Sequence, residues 1–233
     1  MPRKNSRSDF TKQQFYLIYN SSDPIIGSFK SANDYQYFLR LLNYYLTPNP
    51  IEANAIFYAK TRLPSQDFSR KVKLLAYCLL PNSYYLLYEQ NVAKSLPSLM
   101  QLTLTNYSSY YHQIHGYTGP IFSGNYRTQP IGPADDQLLA KVSRSIHLRA
   151  TQASPNNQLD FNYRFSNLSA ILRGYKDSWI SYDRLLEVID TNPTRYHQYL
   201  QEITTEPERL SIYLTSWQNY LFPGKRRPTQ ELI

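Results

Sequence analysis

Lys73-Leu74-Leu75-Ala76-Tyr77-Cys78-Leu79-Leu80-Pro81-Asn82-Ser83-Tyr84-Tyr85-Leu86-Leu87 is the stretch on which the fold turns. Two apolar runs of strand length, rich in Leu and Tyr, meet at Pro81-Asn82. Proline has no N–H to donate and fixes its own φ, so neither a helix nor a continuing central strand tolerates it there. The stretch therefore predicts a β-hairpin whose second strand starts at the turn. Side chains at i and i+2 of a strand leave the same face, so Ser83 and Tyr85 point the same way.

Working outward, residues 15–20 read as a first strand that ends in the turn cluster Asn20-Ser21-Ser22-Asp23-Pro24. The period then changes. Tyr35, Phe38, Leu39, Leu42 and Tyr45 recur at three and four residues behind the capping candidates Ser31 and Asn33, which predicts an amphipathic helix over residues 33–45. Residues 55–59, Ala-Ile-Phe-Tyr-Ala, read as a second strand, followed by a polar loop up to Arg70. Beyond the hairpin, Leu96, Leu99, Thr103, Tyr107, Tyr110 and Ile114 follow helical spacing up to a stop at Gly116. Strand, helix, strand, strand is the opening of an α+β domain. The expectation is a ferredoxin-like antiparallel sheet of about four to five strands, with the helices over 33–45 and 96–114 packed on one face.

A third helix is expected to start within Ile131-Gly132-Pro133-Ala134-Asp135-Asp136 and to carry the stripe Leu138, Leu139, Val142 and Ile146. After a polar connection over 151–165 come short helices over 166–173, 181–189 and 192–203, then a last one over 207–220. The organisation read from this pattern is a basic arm (1–12), an α+β domain (13–150) and a helical C-terminal extension (151–233).

Lys and Arg outnumber Asp and Glu by 25 to 17, which gives a net charge of +8 and favours an anionic partner, nucleic acid or an acidic membrane surface. With 42% hydrophobic residues the chain can build a core. Cys78 is the single cysteine, so no internal disulfide framework forms, and its apolar strand makes it a buried inert thiol. No apolar run reaches the roughly 18 residues that span a bilayer, and no h-region follows the basic N-terminus. These features predict a cytoplasmic protein without a membrane partner. Tyrosine is abundant, 23 residues against 10 phenylalanines, which suits a base-stacking surface and also suits a core. Gly-rich phosphate loops, zinc-ligand spacings, Gly-x-Ser-x-Gly elbows and heptad arrays are absent from the sequence.

Over roughly residues 14–203 the chain resembles the single-tyrosine HUH transposases, in particular the REP-associated tyrosine transposases, and three segments carry most of the likeness. In that family the hairpin carries Pro-Asn-His-x-His; here Pro81-Asn82 is followed by Ser83 and Tyr85 in the histidine positions. Gly119-Pro120-Ile121-Phe122-Ser123-Gly124-Asn125-Tyr126-Arg127-Thr128 is similar to the family's Gly-x-x-Phe-x-x-Arg-Tyr-Lys strand, with Asn125 in place of its arginine and Tyr126 and Arg127 retained. Val142-Ser143-Arg144-Ser145-Ile146-His147-Leu148-Arg149-Ala150 resembles Arg-Tyr-Ile-His-x-Asn-Pro, with Ser145 in the place of the nucleophilic tyrosine. Beyond these, the pattern of residues 166–199 resembles the C-terminal extension of the longer REP-associated proteins.

In the family the two histidines hold a divalent metal such as Mg or Mn, which polarises a phosphodiester for attack by the tyrosine. A neutral serine hydroxyl and a phenol are poor ligands for such ions, so the resemblance implies the frame of this site without its catalytic residues at Ser83, Tyr85 and Ser145, and no cofactor. His147 stands two residues from Ser145, on another face of the helix, and does not make a base for it. What the resemblance implies is a DNA-binding pseudoenzyme for hairpin or single-stranded DNA, monomeric or homodimeric. Arg127, Arg144, Arg149 and Tyr126 would lie near the vacant cleft, and Arg3, Lys4 and Arg7 on the arm. Two other readings stay open at this point: a transposase that nicks and transfers DNA strands with substituted residues, and an RNA- or protein-binding module on the same fold.

Overall fold

The computed structural model describes residue 10 and residues 13–154, 158–189 and 193–204. Along the chain they form β1 (Gln14–Ser21), α1 (Ala32–Leu46), α2 (Pro50–Ala53), α3 (Ala55–Thr61), β2 (Val72–Leu80), β3 (Ser83–Gln90), α4 (Ser95–His115), β4 (Arg127–Ile131), α5 (Asp136–Leu148), a 3-10 turn (Arg149–Ala153), α6 (Leu168–Arg173), α7 (Asp183–Val188) and α8 (Pro193–Thr204). The expected last helix over 207–220 and the arm residues Arg3, Lys4 and Arg7 lie outside the described residues.

The hairpin forms as its Pro-Asn turn dictates, Val72–Leu80 pairing antiparallel with Ser83–Gln90. The sheet runs in the order β2-β3-β1-β4, every neighbour antiparallel. A register shift between Leu74 and Ala76 bulges β2, so that beyond it Cys78 stands opposite Tyr85 and Leu80 opposite Ser83.

One face of this sheet carries Tyr84, Leu86 and Tyr88, and α1 and α4 lie across it. There Phe38 of α1 packs on Tyr84 and on Tyr107 of α4, with ring centroids 5.4 and 5.2 Å apart. The opposite face carries Ser83, Tyr85 and Leu87, and the turn after α5 reaches it through Arg149.

Asp34 ties the two large helices together. It is fully buried, and its Oδ2 accepts the N–H groups of Lys30 and Ser31 at the start of α1, at 2.9 and 2.8 Å. Its Oδ1 takes the Tyr110 hydroxyl at 3.2 Å and faces His115 Nε2 at 3.0 Å, both from the last two turns of α4. Burial alone would raise this carboxyl, but the bonds from His115 and Ser31 outweigh it and hold it below the ordinary value of 3.8. Asp34→Ala is expected to destabilise the fold by about 2 kcal/mol, since it removes a helix cap and a buried carboxylate's hydrogen bonds together. A lower urea midpoint at unchanged slope would show it.

Two local expectations are overturned. Residues 55–59 are not a strand but part of α3; a five-residue apolar run has no decisive period, and as a helix it lays Phe57 on Tyr37 and Tyr44, at 5.6 and 6.2 Å. The cost is an exposed Ile56. Ile131 does not open the third helix either: it ends β4, and α5 starts at Asp136, where the Asp135 side chain accepts the Leu138 N–H at 2.9 Å.

The extension packs back on the sheet. Residues Ser166 and Ile180 bridge β2 at Cys78 and Leu74, and the N–H of Tyr77 donates to Asn167 Oδ1 at 2.8 Å. Asn167 Nδ2 in turn donates to the Leu75 carbonyl at 3.0 Å.

Candidate nucleic-acid interface

Strand alternation and register build this site. Tyr19 of β1 stands opposite Tyr85 of β3 on one side and opposite Arg127 of β4 on the other. Residues opposite one another share a face, so Tyr19, Tyr85, Arg127, Ser83 and Cys78 all lie on the face turned away from α1 and α4. The Tyr19 and Tyr85 rings are nearly parallel, 16° apart, with centroids at 6.2 Å. The Arg149 guanidinium sits over the Tyr85 ring with its central carbon 4.7 Å from the centroid.

Arg149 gets there because the helix ends. It caps the C-terminal end of α5 with φ −60° and ψ −24°, and the chain tightens into the 3-10 turn from that residue on. The side chain is 2% exposed, and among the described residues its Nε and Nη2 have no hydrogen-bond partner. Arg127 is exposed, at the rim. Burial raises the Tyr19 phenol above its ordinary value, and the charge and hydrogen bond of Arg127 hold part of that rise back. Burial also pushes the Cys78 thiol up, against the pull of Arg149, so it stands as a neutral thiol and not as a nucleophile.

The other expected residues are placed elsewhere. Arg144, expected by the cleft, turns to α8 instead: its Nη1 donates to the Tyr199 carbonyl at 3.2 Å, its guanidinium stacks 3.8 Å from the Tyr199 ring, and Glu202 lies 3.6 Å away. An apolar stripe shows which side of a helix is buried but not against what, and α8 was the unseen neighbour. Ser145 is buried within α5. Tyr126 is half-buried, and burial raises its phenol above the ordinary value.

His147 is buried in a network of its own. Asn167 has turned its amide nitrogen to Leu75, so its Oδ1 is an acceptor and His147 Nε2 must donate to it, at 3.0 Å. Nδ1 is then bare and accepts the Tyr196 hydroxyl at 2.5 Å. Burial lowers this histidine from 6.5 to about 4, although the Asn167 bond pulls the other way. It is a neutral clamp between α5, α8 and the extension, with neither nitrogen left for a nucleophile.

Sequence reasoning passed over Tyr19, which reads as one more strand residue until register sets it between Tyr85 and Arg127. It also passed over Asn167 and Tyr196. Nothing local marks them, since they reach His147 across 20 and 49 positions of chain.

A divalent ion does not fit this donor set. Ser83, Tyr85 and Ser145 offer neutral oxygens, the cationic Arg149 lies against Tyr85, and among the described residues no group of three or more His, Cys, Asp or Glu could hold a metal. At the other end of the same face is a cleft of about 660 Å³ lined by Phe15, Lys73, Glu89, Asp183, Arg184 and Glu187. Its charges are held in ion pairs: Lys73 with Glu89 at 3.2 Å, Asp183 with Lys176 at 2.5 Å, and Arg184 with Asp136 and Glu187 at 2.5 and 3.3 Å. No helix among the described residues is long and apolar enough to cross a membrane.

No family model and no curated protein matches the chain. Among solved structures it is similar to a REP-associated tyrosine transposase bound to a REP hairpin, at 11% sequence identity and a TM-score of 0.45, over 74% of this chain and 87% of that one.

Proposed function

We propose that this chain is a DNA-binding protein that takes single-stranded or hairpin DNA on the sheet face of Tyr19, Tyr85, Arg127 and Arg149, and that it binds without cutting. The observation that carries the reading is the juxtaposition of a stacked tyrosine pair with two arginines on one sheet face, one exposed at the rim and one lying over the second ring. Phosphates are met by guanidinium groups, and a net charge of +8 draws the polyanion in. The absence of cutting rests on residue chemistry. Ser83 and Tyr85 are not ligands for a polarising ion, Ser145 is buried, and His147 already spends both ring nitrogens.

Fluorescence anisotropy of a labelled DNA hairpin and of a single strand tests the binding. If about five phosphates are neutralised, the logarithm of the binding constant falls against log salt with a slope of about −3.5 for a single strand. An RNA hairpin of the same sequence bound as tightly would move the reading to RNA, and absence of binding to any of them would end it. Incubation of the hairpin with Mg or Mn is expected to leave it whole, with no covalent protein–DNA adduct on a denaturing gel. An adduct would overturn the reading that the chain does not cut, and mapping it would identify the residue that attacks the phosphodiester.

A further inference from the structure

Arg149 poses a problem that the fold itself leaves unsolved. Arginine keeps its charge at any pH a folded protein meets, and a buried charge is costly unless an opposite charge or a full set of hydrogen bonds answers it. Here the side chain is 2% exposed, Nε and Nη2 have no partner, and no carboxylate forms an ion pair with it among the described residues. The Tyr85 ring answers one face of the guanidinium plane only, and a face contact leaves the in-plane N–H groups as they were.

Which groups are unanswered is informative. Nε and Nη2 are the two nitrogens whose N–H bonds run parallel along one edge of the guanidinium. That edge grips two oxygens of a single tetrahedral or planar anion in fork geometry. Ser83 lies on the same sheet face as Tyr85, with a hydroxyl that can donate to a third oxygen, and Arg127 adds a second cation at the rim. An anion with at least three acceptor oxygens suits the set better than a carboxylate with two.

We propose that the Nε–Nη2 edge of Arg149 is a receptor for one phosphate group. This deepens the nucleic-acid reading and rests on it for the source of the phosphate, a backbone phosphodiester, though the receptor chemistry is the same for free phosphate. A fixed guanidinium thus supplies positive charge on the face where the neutral hydroxyls of Ser83 and Tyr85 cannot hold a divalent ion.

The test uses the full chain, with thermal unfolding and isothermal titration against inorganic phosphate at matched ionic strength. Wild type is expected to melt higher in phosphate than in chloride. Arg149→Met should lose the phosphate-specific part of the rise, bind phosphate at least tenfold more weakly, and melt no lower than wild type in chloride, because it removes an unanswered charge and keeps the bulk. Arg149→Lys keeps charge but not the fork and should also bind at least tenfold more weakly. Equal phosphate dependence in wild type and both variants, or none in wild type, overturns the receptor. The two readings fail separately. Oligonucleotide binding that depends on Arg127 and is indifferent to Arg149→Met, with no phosphate effect, overturns the receptor and leaves the DNA reading. Arg149-dependent phosphate binding without any oligonucleotide binding keeps the receptor and assigns it to free phosphate.

Discussion

Changing Arg127 and Arg149 together to Ala is expected to weaken hairpin or single-strand binding about 100-fold, the loss of two charge-assisted phosphate contacts. The salt slope should flatten at the same time by about 1.4, because each lost phosphate contact removes about 0.7 on a single strand. Anisotropy titrations at several salt concentrations read both quantities. Arg144→Ala makes the contrast. That arginine is spent on Tyr199 and Glu202, so its removal should lower stability by loosening α8 and leave the salt slope where it was. If Arg144→Ala flattened the slope and the double change did not, the interface would have been placed on the wrong side of α5.

The second large effect is a loss of stability in mild acid. His147 titrates at about 4 in the folded chain against an ordinary 6.5, so between those values the unfolded chain binds a proton that the folded one refuses. Its contribution is therefore complete above pH 6.5, drains away as the pH falls towards 4, and amounts to about 3 kcal/mol over that window. Urea titrations at a series of pH values measure it. His147→Gln should be less stable near neutrality and flat across the same window. Asp34 acts in a lower range: its carboxyl is held below 3.8, so its contribution is present above that value and is lost only as the pH falls further. The two losses can be told apart by pH alone.

Much of the scaffold could be read directly, because its elements are specified locally. The Pro81-Asn82 turn, the three-and-four spacing after Ser31, and Gly116 at the end of α4 with φ +61° each act within a few residues. Segment 55–59 misled because a run so short is compatible with either period, and its aromatic neighbours on α1 decided for the helix. The site was legible only in part. Arg127 and Arg149 could be marked as basic residues beside the hairpin's Ser83 and Tyr85, but the pairing of Tyr19 with Tyr85 is a fact of strand register, and register is a tertiary property. Arg144 misled for the same reason. Its position along α5 does not say which element packs there, and only the arrival of α8 sets its role.

The bridges from Ser166 and Ile180 to β2 have a bearing on how copies of this protein can meet. A sheet recruits a further strand, its own or another chain's, through unsatisfied N–H and carbonyl groups along its border. On the β2 border the N–H groups of Leu79, Ser181 and Tyr77 and the carbonyls of Leu74 and Leu75 are already bonded between the sheet and the extension. The far border is β4, five residues long and interrupted by Pro130, which has no N–H to give. Growth of the sheet from copy to copy is thus discouraged at both ends, and a chain cut short before Ser166 would uncover the long, apolar β2 border and is the one to watch for aggregation.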